Sequence, residues 1–175
     1  MHPSLPDKDA LKAALEMEEK GYAFFKDSAA RATNSFAKEI FDFLAGEELN
    51  HIKAIKKFNE QYIKEGLGNA ERIIEDLKEG KVKTSISTIF AQLKDAAPVA
   101  GSDLDVYNFA MDFELRGEAF YKKAEAEAKN PDARKLYGFL TGEERNHFKI
   151  VEACLAYFEN PAEFFHQKEK WHLEG

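Results

Sequence analysis

At 175 residues, 44% hydrophobic and 33% charged, the chain has the size and apolar content of one folded domain with a sizeable core. Its net charge of -7 and the lack of any basic run argue against a nucleic-acid surface or a polybasic membrane arm. No apolar stretch approaches the ~20 residues of a membrane span, no secretory signal opens the chain, and the single cysteine, Cys154, rules out a disulfide framework or a Cys-based zinc or iron–sulfur site within it. The expected setting is soluble and cytoplasmic.

Asp7 or Asp9 caps a first helix that runs to about residue 32. Asn34 or Ser35 caps a second, running to about residue 64. A long crossover follows, about 65–101, with short helical pieces expected at 70–77 and 85–93. Ser102, with Asp103 and Asp105 behind it, opens the next long helix. Asn130 followed by Pro131 opens the last one, with proline at the first helical position. Asn160-Pro161 then closes it and starts a short C-terminal helix in the tail 160–175. The long helices thus form two hairpins, about 7–64 and 102–159, whose short links force antiparallel neighbours. The fold class expected is all-α: one antiparallel four-helix bundle built from two hairpins joined by one long crossover, which describes a ferritin-like bundle.

The hairpins repeat each other. Residues 14–53 align without a gap on residues 110–149 at a constant offset of 96, as in Gly46 and Gly142. The matches include Glu18/Glu114, Gly21/Gly117, Phe24/Phe120, Asn34/Asn130, Phe43/Phe139, Leu44/Leu140, Glu47/Glu143, Glu48/Glu144, Asn50/Asn146 and His51/His147. Two copies are too few for a solenoid, so the duplication builds one pseudo-symmetric bundle.

Alternating steps of three and four residues trace one buried face per helix. They give Leu11, Leu15, Glu18, Tyr22, Phe25 on the first, and Phe41, Leu44, Glu48, His51, Ile55 on the second. The other hairpin gives Tyr107, Met111, Glu114, Glu118, Tyr121 and then Tyr137, Leu140, Glu144, His147, Val151. A carboxylate interrupts every stripe near its middle. An unpaired buried carboxylate costs several kcal/mol, so four at one depth call for a counter-charge, and a pair of metal cations supplies it. His51 and His147 each follow a glutamate by three residues, which sets an oxygen and a nitrogen on one face one turn apart. The glutamates are 30 residues apart in both copies (Glu18 to Glu48, Glu114 to Glu144), so each hairpin folds its pair to a similar level. One such motif is weak; two in register with matching upstream glutamates are specific.

Other residues have plainer readings. Glu47 and Glu143 lie about 100° around the helix from their neighbouring glutamates, as surface groups or as partners behind the ligands. His2, His166 and His172 lack a carboxylate at helical spacing. Cys154 reads as a small apolar residue on its stripe.

The segment Gly46-Glu47-Glu48-Leu49-Asn50-His51, its counterpart Gly142-Glu143-Glu144-Arg145-Asn146-His147, and the upstream Glu18 and Glu114 with their surroundings resemble the rubrerythrin branch of the ferritin-like di-iron proteins. The resemblance covers both hairpins. It implies that Glu48 and Glu144 bridge two irons, that Glu18 and Glu114 are terminal, and that His51 and His147 serve one iron each. Rubrerythrins proper also carry a C-terminal four-cysteine domain for electron transfer. No such cysteines stand after Pro161 here, so the resemblance implies electrons from a separate rubredoxin-like donor. The family has a further glutamate three residues after the terminal ligand of its third helix, where this chain has Gly117. Glu118, on the buried stripe where the first copy has Tyr22, either becomes a seventh ligand or turns away to pair with a lysine. Tyr121 and Tyr22 are expected beside the ligands. Tyr121 aligns with Phe25, so a phenol able to hydrogen-bond a ligand stands on one side only.

An oxygen-rich set with one imidazole per metal suits iron or manganese. The cofactor expected is two Fe ions, with Mn or Zn able to occupy the isolated protein. The family implies reduction of hydrogen peroxide to water. Two alternatives stand beside it: a ferroxidase that oxidises Fe(II) with O2, and a non-catalytic metal-binding or interaction bundle. By resemblance the chain is expected to form a homodimer, with hairpin or helix exchange open to it, and no nucleic-acid or membrane partner.

Overall fold

The computed structural model describes residues 6–65, 69–80, 101–164 and 166, the side chains of 6, 7 and 101–103 excepted. Four long helices carry the fold: α1 (Pro6–Arg31), α2 (Ser35–Glu65), α4 (Gly101–Glu127) and α5 (Pro131–Glu159), with the shorter α3 (Ala70–Gly80) between the hairpins. α1 packs along α2 and α4 along α5, α1 meets α4, and α3 lies against both α2 and α5. This is the ferritin-like four-helix bundle expected from the pattern. No described helix is long and apolar enough to cross a membrane.

Equivalent caps set the two hairpin turns. The Ala37 N–H donates to Asn34 Oδ1 at 3.1 Å, and the Ala133 N–H donates to Asn130 Oδ1 at 2.9 Å. Asn34 rather than Ser35 is therefore the cap of α2. Asn130 is extended (φ -80°, ψ 124°) with Pro131 directly after it, where a missing N–H costs nothing. Asn130→Ala is expected to lower stability by about 1 kcal/mol in a denaturant titration; no change would mean that packing alone fixes this turn. Asn160 ends α5, its N–H returning to Ala156 O, and its side chain accepts from the Glu163 N–H at 3.3 Å. Residues 161–164 are helical, as the Asn-Pro pair predicts.

Boundaries differ by small amounts. α1 includes Asp7 and Asp9 in its first turns, where acidic residues suit the positive end of the helix dipole. α4 includes Gly101 ahead of Ser102. The piece expected at 70–77 extends to Gly80, capped by Asn69, whose Oδ1 accepts from the Arg72 N–H at 3.1 Å. The piece expected at 85–93 and most of the tail lie outside the described residues.

Among the described residues the core forms two apolar clusters. Phe25, Phe41, Leu44, Tyr107, Val151 and Cys154 belong to one. Leu11, Ile55, Phe58, Tyr121, Tyr137 and Leu140 belong to the other, and α3 adds Ala70 and Ile73 to it. Between the two sets, in sequence along every long helix, come the buried carboxylates and imidazoles.

Candidate metal centre

Glu18 comes from α1, Glu48 and His51 from α2, Glu114 from α4, and Glu144 and His147 from α5. All six are at most 2% exposed. They form two overlapping groups whose ligand atoms lie within 4.8 Å of one another: Glu18, Glu48, His51, Glu144, and Glu48, Glu114, Glu144, His147. Glu48 and Glu144 belong to both. The two imidazoles stack across the bundle with centroids 5.3 Å apart and planes 11° apart. Each turns Nδ1 toward carboxylate. His51 Nδ1 is 3.2 Å from Glu18 Oε2 and 3.5 Å from Glu144 Oε1. His147 Nδ1 is 3.2 Å from Glu48 Oε1 and 3.6 Å from Glu114 Oε2. Each histidine thus reaches the shared glutamate of the opposite hairpin.

The electrostatics show what this cluster lacks. Outside the cluster itself, both oxygens of Glu48 and of Glu114, Glu144 Oε1, His51 Nε2 and both nitrogens of His147 are buried without a hydrogen-bond partner. Burial pushes Glu114 and Glu144 up to about 8. Burial and then the charges of Glu18 and Glu144 push Glu48 well above the carboxylate range. Burial alone would strip the proton from His51, but Glu18 and Glu144 hold it and raise its pKa to about 10. Burial brings His147 down to about 4. Burial would also raise Glu18, but His51 and the hydrogen bonds to it prevail and set it at about 2. At neutral pH these shifts leave Glu18 paired with the His51 imidazolium and hold Glu48, Glu114 and Glu144 protonated. The three can ionise in this interior only where a cation takes the place of their protons. The donor set fits two metal ions sharing Glu48 and Glu144.

Residues 9–155 match the family model described as Rubrerythrin. The chain belongs to the rubrerythrin family. No curated protein and no solved structure matches it.

Within this rubrerythrin-family chain the seventh candidate, Glu118, is not part of either group. It is buried, but its Oε1 takes Lys122 Nζ at 2.5 Å and Arg145 Nη2 at 3.0 Å. Of the two alternatives for Glu118, pairing with a lysine is the one the fold adopts. The reason is Arg145: it stands where the first copy has Leu49 and adds a second cation that draws the carboxylate outward. The Lys122 hydrogen bond, with Arg145 beside it, holds Glu118 below the usual carboxylate range.

Gly117 is accounted for by its neighbour. A Cβ there would lie inside contact distance of Glu144 Oε2 and 3.1 Å from its Cδ. At the equivalent Gly21, a Cβ would meet Glu48 Oε2 and Phe113 Cε1 at 2.8 Å. The glycine pair lets the two shared carboxylates lie against the facing helices. Gly117→Ala is expected to leave the metal-free protein as stable or more so, since alanine gains about 1 kcal/mol in a helix. By displacing Glu144 it is expected to weaken metal binding about 10- to 100-fold. Gly142 has nothing within 4 Å of its would-be Cβ, so Gly142→Ala is expected to stabilise by about 1 kcal/mol with affinity unchanged. Denaturant melts and metal titrations of the two variants would expose the error if they behaved alike.

Glu47 and Glu143 are buried, at 8% and 6% exposure, so their reading as surface groups does not hold. Glu143 Oε2 is 3.9 Å from His51 Nε2, the nitrogen turned away from the other carboxylates, and Glu47 Oε1 accepts from Asn50 Nδ2 at 3.3 Å. The signal was present in the sequence as the match Glu47/Glu143. An angle of about 100° from the ligand placed these residues at the edge of the stripe, and the facing helix closes over that edge. Tyr121 is fully buried and its hydroxyl donates to Glu18 Oε1. Tyr22 is half-buried and packs on the rim of the first apolar cluster, so it does not mirror Tyr121. Cys154 lies in that cluster with its thiol pushed up to about 12 by burial, which suits a packing residue. His166 is exposed.

Proposed function

We propose that this protein reduces hydrogen peroxide to water at a di-iron centre and is re-reduced by a separate rubredoxin-like electron-transfer protein. The observation that carries this reading is the pair of buried groups sharing Glu48 and Glu144 in a chain of this family. Glu48 and Glu144 would contact both metals, Glu18 and His51 one, and Glu114 and His147 the other. Hard carboxylate oxygens with one imidazole each favour iron or manganese over thiolate-seeking metals. Bound iron supplies two electrons, and peroxide takes up these and two protons to become two waters.

The chain's own residues supply placement and dryness. Glu48 and Glu144 would hold both metals, and the apolar clusters flanking these carboxylates keep bulk water out. Glu143 Oε2, 3.9 Å from the outward nitrogen of His51, is the carboxylate that would accept from that N–H on a small approach and so leave the other nitrogen for the metal. Tyr121 holds its phenolic proton against Glu18 Oε1.

Protein loaded anaerobically with Fe(II) and mixed with peroxide or O2 in a stopped flow tests the reading. Peroxide is expected to produce diferric absorbance far faster than O2. Faster oxidation by O2, with continued turnover of added Fe(II), would make the protein a ferroxidase. Metal binding that survives both Glu48→Ala and Glu144→Ala would remove the site altogether.

A further inference from the structure

The repeat lets each half of the site serve as the reference for the other. Under the offset of 96, Phe25 corresponds to Tyr121 and Phe41 to Tyr137. The two ring pairs are arranged alike. Phe25 and Phe41 have centroids 6.3 Å apart and planes 21° apart, and Tyr121 and Tyr137 have centroids 6.1 Å apart and planes 29° apart. The aromatic wall beside each half-site is therefore preserved, and what differs is the hydroxyls.

One of those hydroxyls reaches a candidate ligand. Tyr121 donates to Glu18 Oε1, while Glu18 Oε2 faces His51 Nδ1 at 3.2 Å. Both oxygens of Glu18 are thus assigned, one to the phenol and one toward the metal side. Its counterpart Glu114 has no phenol on either oxygen: its side-chain hydrogen bond is with Glu144, itself a candidate ligand, and Oε2 lies 3.6 Å from His147 Nδ1. The residue standing where a matching phenol would be is Phe25, fully buried and without a donor. The other prominent break in the repeat, Glu118 with Arg145, is a self-contained ion pair outside both groups.

We propose that Tyr121 is a positioning residue that makes the two metal positions unequal, holding Glu18 to a single oxygen toward its metal while Glu114 keeps both oxygens for its own. A hydrogen bond to the outer oxygen of a carboxylate withdraws charge from the inner one and fixes its rotation. The position beside Glu18 and His51 then has the weaker donor set and the room for an added ligand. The position beside Glu114 and His147 has the fuller set. The inference rests on the two-metal reading, and it concerns ligation rather than turnover.

Mössbauer spectra of protein loaded with ⁵⁷Fe(II), taken with the iron stoichiometry, test it. The parent is expected to bind two irons and to show two quadrupole doublets of equal area. Tyr121→Phe removes one oxygen atom and is expected to bring the doublets together. Phe25→Tyr gives the second half-site its own phenol and is expected to do the same. The exchanged pair, Phe25→Tyr with Tyr121→Phe, is expected to restore the separation. Two irons in a single doublet in the parent, or a Tyr121→Phe spectrum that superimposes on the parent's, would overturn the inference while leaving the two-metal site standing. Fewer than two irons per chain would overturn both.

Discussion

Glu144→Ala is expected to lose both metals, whereas Glu18→Ala is expected to lose one. The difference follows from membership: Glu144 belongs to both buried groups and Glu18 to one. Without Glu144, both half-sites lose a carboxylate, and His51 loses a nearby anion, its Nδ1 lying 3.5 Å from Glu144 Oε1. Without Glu18, the group of Glu48, Glu114, Glu144 and His147 remains complete. The metal-free proteins should respond in the opposite sense. Glu144 is held un-ionised by burial, with Oε1 unpaired, and removing a buried polar group left unsatisfied relieves about 1–3 kcal/mol. Glu144→Leu, which leaves less of a cavity, is the variant in which to read that gain. Metal analysis after desalting gives the stoichiometries, and denaturant melts of the chelated proteins give the stabilities. Equal metal loss in Glu18→Ala and Glu144→Ala would contradict a shared carboxylate.

The second large effect is the dependence of stability on pH and metal. Glu114 and Glu144 sit at about 8 and His51 at about 10, against ordinary values of 4.5 and 6.5 for these residue types. Between pH 6.5 and 8 the folded state therefore holds more protons than the unfolded state, and stability falls as pH rises. His147, lowered to about 4, has the opposite sign but acts below pH 6.5, where its stabilisation is lost as pH falls. The metal-free protein is thus expected to melt at progressively lower temperature from pH 6.5 to 8. Metal binding replaces those protons and should reverse the trend. At a free metal concentration a thousandfold above Kd, each site contributes about 4 kcal/mol. For a chain of this size two such sites correspond to a rise in Tm of roughly 15–30 °C. Calorimetric scans with and without chelator would refute this if the metal-free Tm were flat or rising across the window, or if metal raised it by only a few degrees.

Several residues show how far sequence reasoning reaches here. The caps Asn34 and Asn130 were legible because a cap acts on the next three residues of its own chain. Glu18, Glu48, His51, Glu114, Glu144 and His147 were legible as one layer because the helical period fixes which residues share a face. The duplication then supplied the second copy as a check. Glu118 was not decided, since its position on the stripe is compatible with either direction and the choice rests on Arg145, a residue of the neighbouring helix. Glu47 and Glu143 were left between two readings, surface groups or partners behind the ligands, for a related reason. Being one position off the ligand says how far a side chain is rotated around its own helix, but not what the facing helix covers.

By itself the sequence determined the helices, their buried faces, the pairing of two hairpins and the level at which four carboxylates and two imidazoles interrupt the core. All of these depend on local periodicity, on turn chemistry and on a repeat visible at one fixed offset. Only the tertiary structure decided how those side chains meet: that His51 and His147 each reach the opposite hairpin's shared glutamate, that Gly21 and Gly117 make room for those glutamates, and that Tyr121 reaches Glu18 across 103 residues of chain. Contacts of this kind depend on the rotation and spacing of separate helices, which every core residue influences and no single segment encodes.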